Sequence, residues 1–175
     1  MNMRRCLLAV LVVAVLPVGC GSIQEYSKLA MPVDRTLRTG PGGVVFRIER
    51  SRDLPNIYGR ADLWGRNVDT GYQELRYIGL SDDGQAVFRF REQQILSNET
   101  TLTQMGGFAT FSAQGSTATA TAIGPARAHT QVLPPQGVEF KHDFARKATL
   151  EYTGVRVTIL GATPSELTYS LTKPE

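Results

Sequence analysis

The sequence predicts an all-β domain, built as an antiparallel β-sandwich or a partly closed barrel of about nine or ten short strands. Short runs of alternating apolar and polar residues recur along the chain, and this period of two is typical of half-buried strands. Phe88 and Phe90, for example, alternate with Arg89 and Arg91. Residues that favour turns separate these runs at short intervals, as expected for antiparallel strands with tight connections.

Residues 22–31 admit two interpretations. Ser22 and Glu25 have the spacing of a helix capping box, and Pro32 would end the helix, so a short N-terminal helix is one prediction. A flexible tether is the alternative. The glycines and proline within 33–43 predict an irregular lead-in, which places the start of the β domain at residue 44.

Two hairpins are predicted from turn residues that lie between alternating runs. Asp83 and Gly84 separate two such runs, and both residue types tolerate the positive φ of a tight hairpin turn. A second turn is predicted at 113–115, and the proline-rich segment 124–137 is predicted to be the longest loop. The predicted strands span residues 44–49, 72–80, 85–90, 107–112, 116–123, 138–141, 147–153, 155–160 and 166–172.

The first twenty residues have the layout of a secretory signal. Arg4 and Arg5 form a positively charged start, residues 6–16 are an uninterrupted apolar run, and Gly19 stands directly before Cys20. A charged start, an apolar run and a small residue at the end are typical of a signal peptide. With the cysteine in this position, the segment resembles the signals of the bacterial lipoprotein family.

The resemblance implies cleavage before Cys20, attachment of diacylglycerol to its thiol, and acylation of the new amino terminus, for example by palmitate. Residues 1–19 would be the signal peptide, 20–43 a lipidated tether and lead-in, and 44–175 a single β domain. Gly21, in place of an aspartate that retains such proteins in the inner membrane, implies the outer membrane, facing the periplasm. An ordinary secreted protein and an uncleaved anchor stay open as alternatives, although the apolar run is short for a membrane span.

Composition excludes several kinds of site. The 175-residue chain has a net charge of +3, and loss of Arg4 and Arg5 with the signal leaves 17 basic and 16 acidic residues. A nearly neutral domain argues against nucleic-acid binding, which requires a clustered basic face. Cys6 would leave with the signal and Cys20 would carry lipid, so we expect neither a disulfide nor a zinc site built from thiolates. No cofactor is expected.

The densest group of chemically distinctive side chains lies within residues 54–72. If this segment is a strand, alternation places the single tryptophan with a tyrosine, two arginines, an aspartate and an asparagine on one face. Aromatic rings with polar neighbours suit sugar rings or peptide backbones. The structural alternative is a cross-strand ladder in which Arg60 pairs with Asp62. The candidate face for a ligand or partner consists of Asn56, Tyr58, Arg60, Asp62, Trp64 and Arg66.

No local pattern predicts a catalytic or metal site. The two histidines are His129 and His142, and His142 and its neighbour Asp143 would point to opposite faces of a strand. The motifs of zinc proteases, serine hydrolases and phosphate-binding loops are not present in the sequence. We therefore expect no catalytic residues and no metal ligands, and a hydrolase is the least favoured alternative.

The anchor and the β domain together predict a lipid-anchored protein of the cell envelope. A binding or scaffolding role is expected, as an accessory to a larger periplasmic assembly, with the membrane and an envelope protein as partners. The alternative is a β-sandwich that binds a small ligand or a glycan, with Tyr58 and Trp64 as stacking platforms.

Overall fold

The computed structural model describes residues 21–104, 108–114, 117–123 and 127–173. These ranges form twelve β-strands and one helical turn, α1 (Thr101–Gln104). The predicted all-β class is therefore confirmed. The strands are β1 (Glu25–Leu29), β2 (Thr36–Thr39), β3 (Val44–Asp53), β4 (Asn67–Leu80), β5 (Ala86–Ser97), β6 (Phe108–Gln114), β7 (Thr117–Ile123), β8 (Thr130–Val132), β9 (Gln136–His142), β10 (Thr149–Tyr152), β11 (Val155–Ala162) and β12 (Leu167–Thr172).

Ten of these strands form two antiparallel sheets. In the first sheet the order is β1-β3-β4-β5, and the outer side of β5 pairs with β9 along its first half and with β8 near its end. The second sheet has the order β10-β11-β12-β2, while β6 and β7 form a hairpin of their own. The described strands thus build an open sandwich and not a closed barrel.

The core lies between the two sheets, where alternate residues of each strand point inward. In the first sheet Phe46 and Ile48 lie beside Leu75 and Phe90, and the second sheet contributes valine, isoleucine, leucine and tyrosine from β11 and β12. Each buried large apolar side chain stabilises the fold by about 1.5–3 kcal/mol. The buried cluster comprises Val45, Phe46, Ile48, Leu75, Tyr77, Ala86, Phe88, Phe90, Val155, Val157, Ile159, Leu167, Tyr169 and Leu171.

Two buried tyrosines bridge the sheets with their hydroxyl groups. Tyr77 of β4 donates to the carbonyl of Thr163, between β11 and β12, at 2.6 Å. In the opposite direction, Tyr169 of β12 donates to the carbonyl of Val45 in β3 at 2.8 Å. Burial raises the pKa of Tyr169 to about 12 and raises the pKa of Tyr77. The two sheets are therefore joined by reciprocal hydrogen bonds as well as by apolar packing.

The predicted hairpin around Asp83 and Gly84 is confirmed. It joins the two longest strands, β4 and β5, through residues 81–85. The Ser81 amide donates to the Gln85 carbonyl at 2.9 Å, and Gly84 adopts a φ of 75° at the turn. Local turn chemistry therefore determines this connection.

The short helix predicted within 22–31 is wrong. Residues 25–29 are instead strand β1, whose backbone pairs with residues 48–52 of β3. Pairing with β3 satisfies the backbone groups of β1 through residues distant in sequence, which a local capping-box pattern does not reveal. Further along, β2 pairs with β12, so residues 20–43, expected to be a tether and lead-in, contribute an edge strand to each sheet.

The prediction of one long loop over 124–137 is also wrong where the structure describes this segment. β8 lies within it and β9 begins at its end, and both pair with β5 along the same edge. Between them the Leu133 amide still donates to the Gln94 carbonyl at 3.0 Å. Pro134 and Pro135 have no amide hydrogen, so they interrupt the ladder without moving the chain away from the edge.

Candidate functional site

Residues 54–66, here called the tip loop, connect β3 to β4. The prediction that they form a strand is wrong, because β3 ends at Asp53 and β4 begins at Asn67. A single bridge between Pro55 and Ala61 is the β pairing within the loop. Gly59 and Gly65 have φ angles of 71° and 67°, a left-handed conformation that ends an extended chain in a turn.

The first turn of the tip loop is organised by Asn56. Its side-chain oxygen accepts hydrogen bonds from the amides of Tyr58 and Arg60, at 2.9 and 3.0 Å. The backbone amide of Asn56 donates to the Arg60 carbonyl at 2.7 Å. Asparagine at the start of a turn is favoured because its side chain replaces a backbone acceptor in this way. Asn56 therefore shapes the loop, and its side chain does not form a flat face with Tyr58 and Arg60.

The second turn is closed by an ion pair between Asp62 and Arg66. The Asp62 carboxylate is almost completely buried and accepts hydrogen bonds from Arg66 Nε at 2.9 Å and from a terminal nitrogen at 3.2 Å. The hydrogen bond from Arg66 holds the pKa of Asp62 below its ordinary value. The alternative prediction paired Asp62 with Arg60 in a cross-strand ladder. Asp62 instead pairs with Arg66, four residues further along the chain.

These turns leave four large apolar side chains in solvent. Tyr58 is 82% exposed and Trp64 is 72% exposed. Ile57 and Leu63, which the strand interpretation would pack against the core, are 62% and 66% exposed. The Arg66 guanidinium carbon lies 5.3 Å from the centre of the Trp64 ring. The tip loop therefore exposes two aliphatic and two aromatic side chains, with the Arg66 guanidinium beside the Trp64 ring.

The start of the described chain is attached to this same loop. The Gly21 carbonyl accepts a hydrogen bond from the Ala61 amide at 3.2 Å. Three residues later, Gln24 and Asp53 exchange two hydrogen bonds of 2.9 Å each. Cys20, the predicted lipidation site, lies outside the described residues. Its neighbour Gly21, the first described residue, lies beside the tip loop.

A groove of about 580 Å³ lies on the first sheet beyond the core. On β3, the inward-facing series of Phe46 and Ile48 continues with Arg50, whose side chain is 41% exposed. Strands β1 and β5 supply polar side chains on either side, including Ser27 and Gln94. The sandwich core therefore gives way to a polar, partly open cavity at one end of the long strands.

Two arginines lie across the floor of this groove. Arg50 donates to the Glu92 carboxylate at 3.0 Å, and Arg52 donates to the Ser97 carbonyl at 2.7 Å. Both side chains therefore reach from β3 across β4 to β5, with Arg50 opposite Gly71 and Arg52 opposite Val68 in the strand register. Within the described residues, the buried Nε of Arg52 has no hydrogen-bond partner.

Sequence reasoning missed the groove. A signal was present, because the period-two alternation of Phe46 and Ile48 continues into Arg50 and Arg52, which indicates an inward face that turns polar. The pairing across Gly71 depends on long-range strand register, which that signal does not contain.

The two histidines lie apart from each other. His129 lines the groove and donates its backbone amide to the Asn98 side chain at 2.6 Å. The Nε2 atom of His142 lies 2.8 Å from the Lys147 carbonyl, and Asp143 accepts a hydrogen bond from the Arg146 amide. Over the ranges that the structure describes, no cluster of three or more histidine, cysteine, aspartate or glutamate side chains could hold a metal ion.

Comparisons with known proteins assign no family to this fold. No protein family, curated protein or solved structure matches the chain. The described part of the chain also contains no helix with the length and apolarity needed to cross a bilayer.

Proposed function

We propose that the protein is a lipid-anchored component of the bacterial cell envelope, held by acyl chains on Cys20 at the outer membrane and facing the periplasm. Its β-sandwich binds a partner protein there, as an accessory to a larger assembly. Two or three acyl chains would make this attachment nearly permanent, because each buried CH₂ contributes about 0.8 kcal/mol.

The observation that carries the proposal is the hydrogen bond between Gly21 and Ala61. The residue that follows the predicted lipidation site already belongs to the folded domain. An acyl group on Cys20 would therefore hold the sandwich at the membrane surface, where other envelope proteins can reach it. Such a position suits a binding or scaffolding role.

The anchor is tested by labelling cells of a Gram-negative host with an alkyne fatty acid. Wild-type protein should take up the label and sediment with the outer membrane, whereas Cys20→Ala should do neither. Ser22→Ala, two residues away, is the matched control and should be labelled like wild type. An unlabelled wild-type protein would contradict the proposal.

Crosslinking in living cells, followed by capture of the tagged protein, tests the binding role. We expect one dominant envelope protein to be captured with the wild type and at least tenfold less of it with Cys20→Ala. Equal capture by both forms would contradict a role that depends on the anchor.

Small-ligand binding is a second candidate function, and the groove favours it. Arg50 and Arg52 both line the groove, and guanidinium groups suit an anionic group such as a carboxylate. Acidic glycans and short peptides should raise the melting temperature of wild type but not of Arg52→Gln. Arg38→Gln, a change at a largely exposed arginine of the second sheet, is the control and should behave like wild type. An equal shift in all three proteins would place the ligand outside the groove.

A further inference from the structure

We propose that the tip loop is a membrane-docking element, which inserts its apolar side chains into the headgroup region of the phospholipid bilayer that holds the lipid anchor. This inference rests on the proposed lipidation of Cys20. It adds a second attachment, made by the folded domain itself, and a fixed orientation of the sandwich on the membrane.

The exposed side chains have the chemistry that a membrane interface binds. Ile57 and Leu63 are aliphatic, whereas Tyr58 and Trp64 have an apolar ring with a polar atom at its edge. Aromatic residues of this kind are enriched at the headgroup level of bilayers. Arg60 is exposed in the same loop and carries a positive charge suited to lipid phosphates. The nearby Asp62 is neutralised by Arg66 and would not repel them.

The loop is held in place by the fold, so its exposed residues form a stable surface. Leu54, at its start, is completely buried, and the Asp62 side chain is buried at its second turn. The α1 turn also packs against it, because the Thr101 amide donates to the Pro55 carbonyl at 2.9 Å. The apolar side chains therefore point into solvent from a fixed base.

The position of the anchor beside the tip loop is the reason to identify the binding partner of the loop as a bilayer. Gly21 is hydrogen-bonded to Ala61 in the tip loop, so one peptide unit separates the loop from the acylated residue. A residue spans at most about 3.6 Å, and the acyl chains must therefore enter the bilayer beside the loop. With so short a connection, the exposed apolar side chains lie at the membrane surface whenever the lipid is inserted.

Trp64 provides the test, because it is the only tryptophan in the chain. Lipidated protein is purified from membranes and reconstituted into vesicles of phosphatidylethanolamine and phosphatidylglycerol, with or without bromine on the acyl chains. We expect bromine to lower Trp64 emission at least twofold and iodide in the buffer to have little effect. Equal emission in both vesicles, with iodide quenching as strong as for unlipidated Cys20→Ser protein, would overturn the proposal.

Variants separate docking from anchoring. Ile57→Ser combined with Leu63→Ser should restore iodide quenching of Trp64 by at least half, while the lipid keeps the protein on the vesicles. Leu160→Ser, which changes a similarly exposed leucine of the second sheet, should leave quenching unchanged. A double variant that behaves like wild type would count against insertion of the loop.

Mass spectrometry of the intact protein distinguishes the two proposals. An acylated Cys20 with Trp64 in water would overturn docking and leave the anchor standing. A Cys20 without acyl groups would overturn both. Quenching of Trp64 by soluble glycans, with no effect of bromine, would also overturn docking and assign the tip loop to glycan recognition.

Discussion

At Gly71, in the middle of β4, the backbone adopts a φ of 117° beside a register shift between β3 and β4. A Cβ atom at this position would lie 1.9 Å from the Gln93 carbonyl oxygen of β5. The nearest atoms all belong to the β5 backbone at Gln93 and Gln94. The absence of one methyl group therefore permits the close pairing of β4 with β5 beside the groove.

Gly71→Ala is expected to destabilise the protein by at least about 2 kcal/mol, because it combines a backbone clash with an unfavourable φ. Urea unfolding measures the change. Gly161→Ala is the matched control, since a Cβ there would meet no described atom within 4 Å, and its effect should stay within about 0.5 kcal/mol. Equal stability of both variants would show that β4 and β5 can separate at Gly71 without loss.

Trp64 and its neighbours show how far residue identity alone could be interpreted. The sequence places Asn56, Tyr58, Asp62 and Trp64 close together in one segment. It could not indicate their arrangement, because Asn56 and Asp62 bond to the loop itself, whereas the two aromatic rings point outward. Side chains that alternation would place on one face therefore have different roles, since two of them stabilise the loop and two are exposed to solvent.

Among the elements, the hairpin turn between β4 and β5 was predicted, although β5 continues seven residues beyond its predicted end at residue 90, whereas the tip loop was wrongly predicted as a strand. The hairpin between those strands depends on a local turn and on alternation of buried and exposed residues. The segment before β4 has the same alternation, but two glycines with positive φ convert it into turns. Its conformation depends on hydrogen bonds that periodicity does not reveal.

The bond from β12 to β3 has a measurable consequence. Val45 has no partner residue in β4, because the register shifts between Val44 and Phe46. Its carbonyl instead accepts a hydrogen bond from the Tyr169 hydroxyl. Tyr169→Phe leaves this buried carbonyl unpaired and should destabilise the protein by about 1–3 kcal/mol in urea unfolding. Tyr58→Phe, at an 82% exposed residue, should change stability by less than about 0.5 kcal/mol. Equal effects would mean that the hydroxyl of Tyr169 contributes nothing.

At the scale of the whole molecule, the order of the strands was beyond prediction. Alternation indicated an all-β sandwich, and the structure confirms that class. The crossing of residues 30–35 from one sheet to the other is fixed by contacts distant in sequence, such as the Asp34 amide with the Leu171 carbonyl at 2.9 Å. The groove follows from the same long-range arrangement, since it lies where the long first sheet continues beyond the core.

Alkaline pH should weaken the sandwich as a whole. The pKa of Tyr169 is raised from 10.0 to about 12, and burial also raises the pKa of Tyr77. Folding therefore favours the protonated hydroxyls of both residues. The contribution of Tyr169 is complete below pH 10 and is lost as the pH rises through 12. Melting temperatures measured from pH 8 to 12 should fall in the upper half of this range. The decline should be shallower for Tyr169→Phe, and an identical slope in both proteins would contradict this assignment.

The consecutive prolines between β8 and β9 have a consequence for self-association. An exposed sheet edge can recruit strands from other molecules, and a membrane that concentrates this protein in two dimensions would promote such contacts. Pro134 and Pro135 offer no amide hydrogen to an incoming strand, and they divide the edge into segments of three and seven residues. At this edge, pairing with a strand from another copy is therefore limited to two short segments and cannot run along the full length of β5.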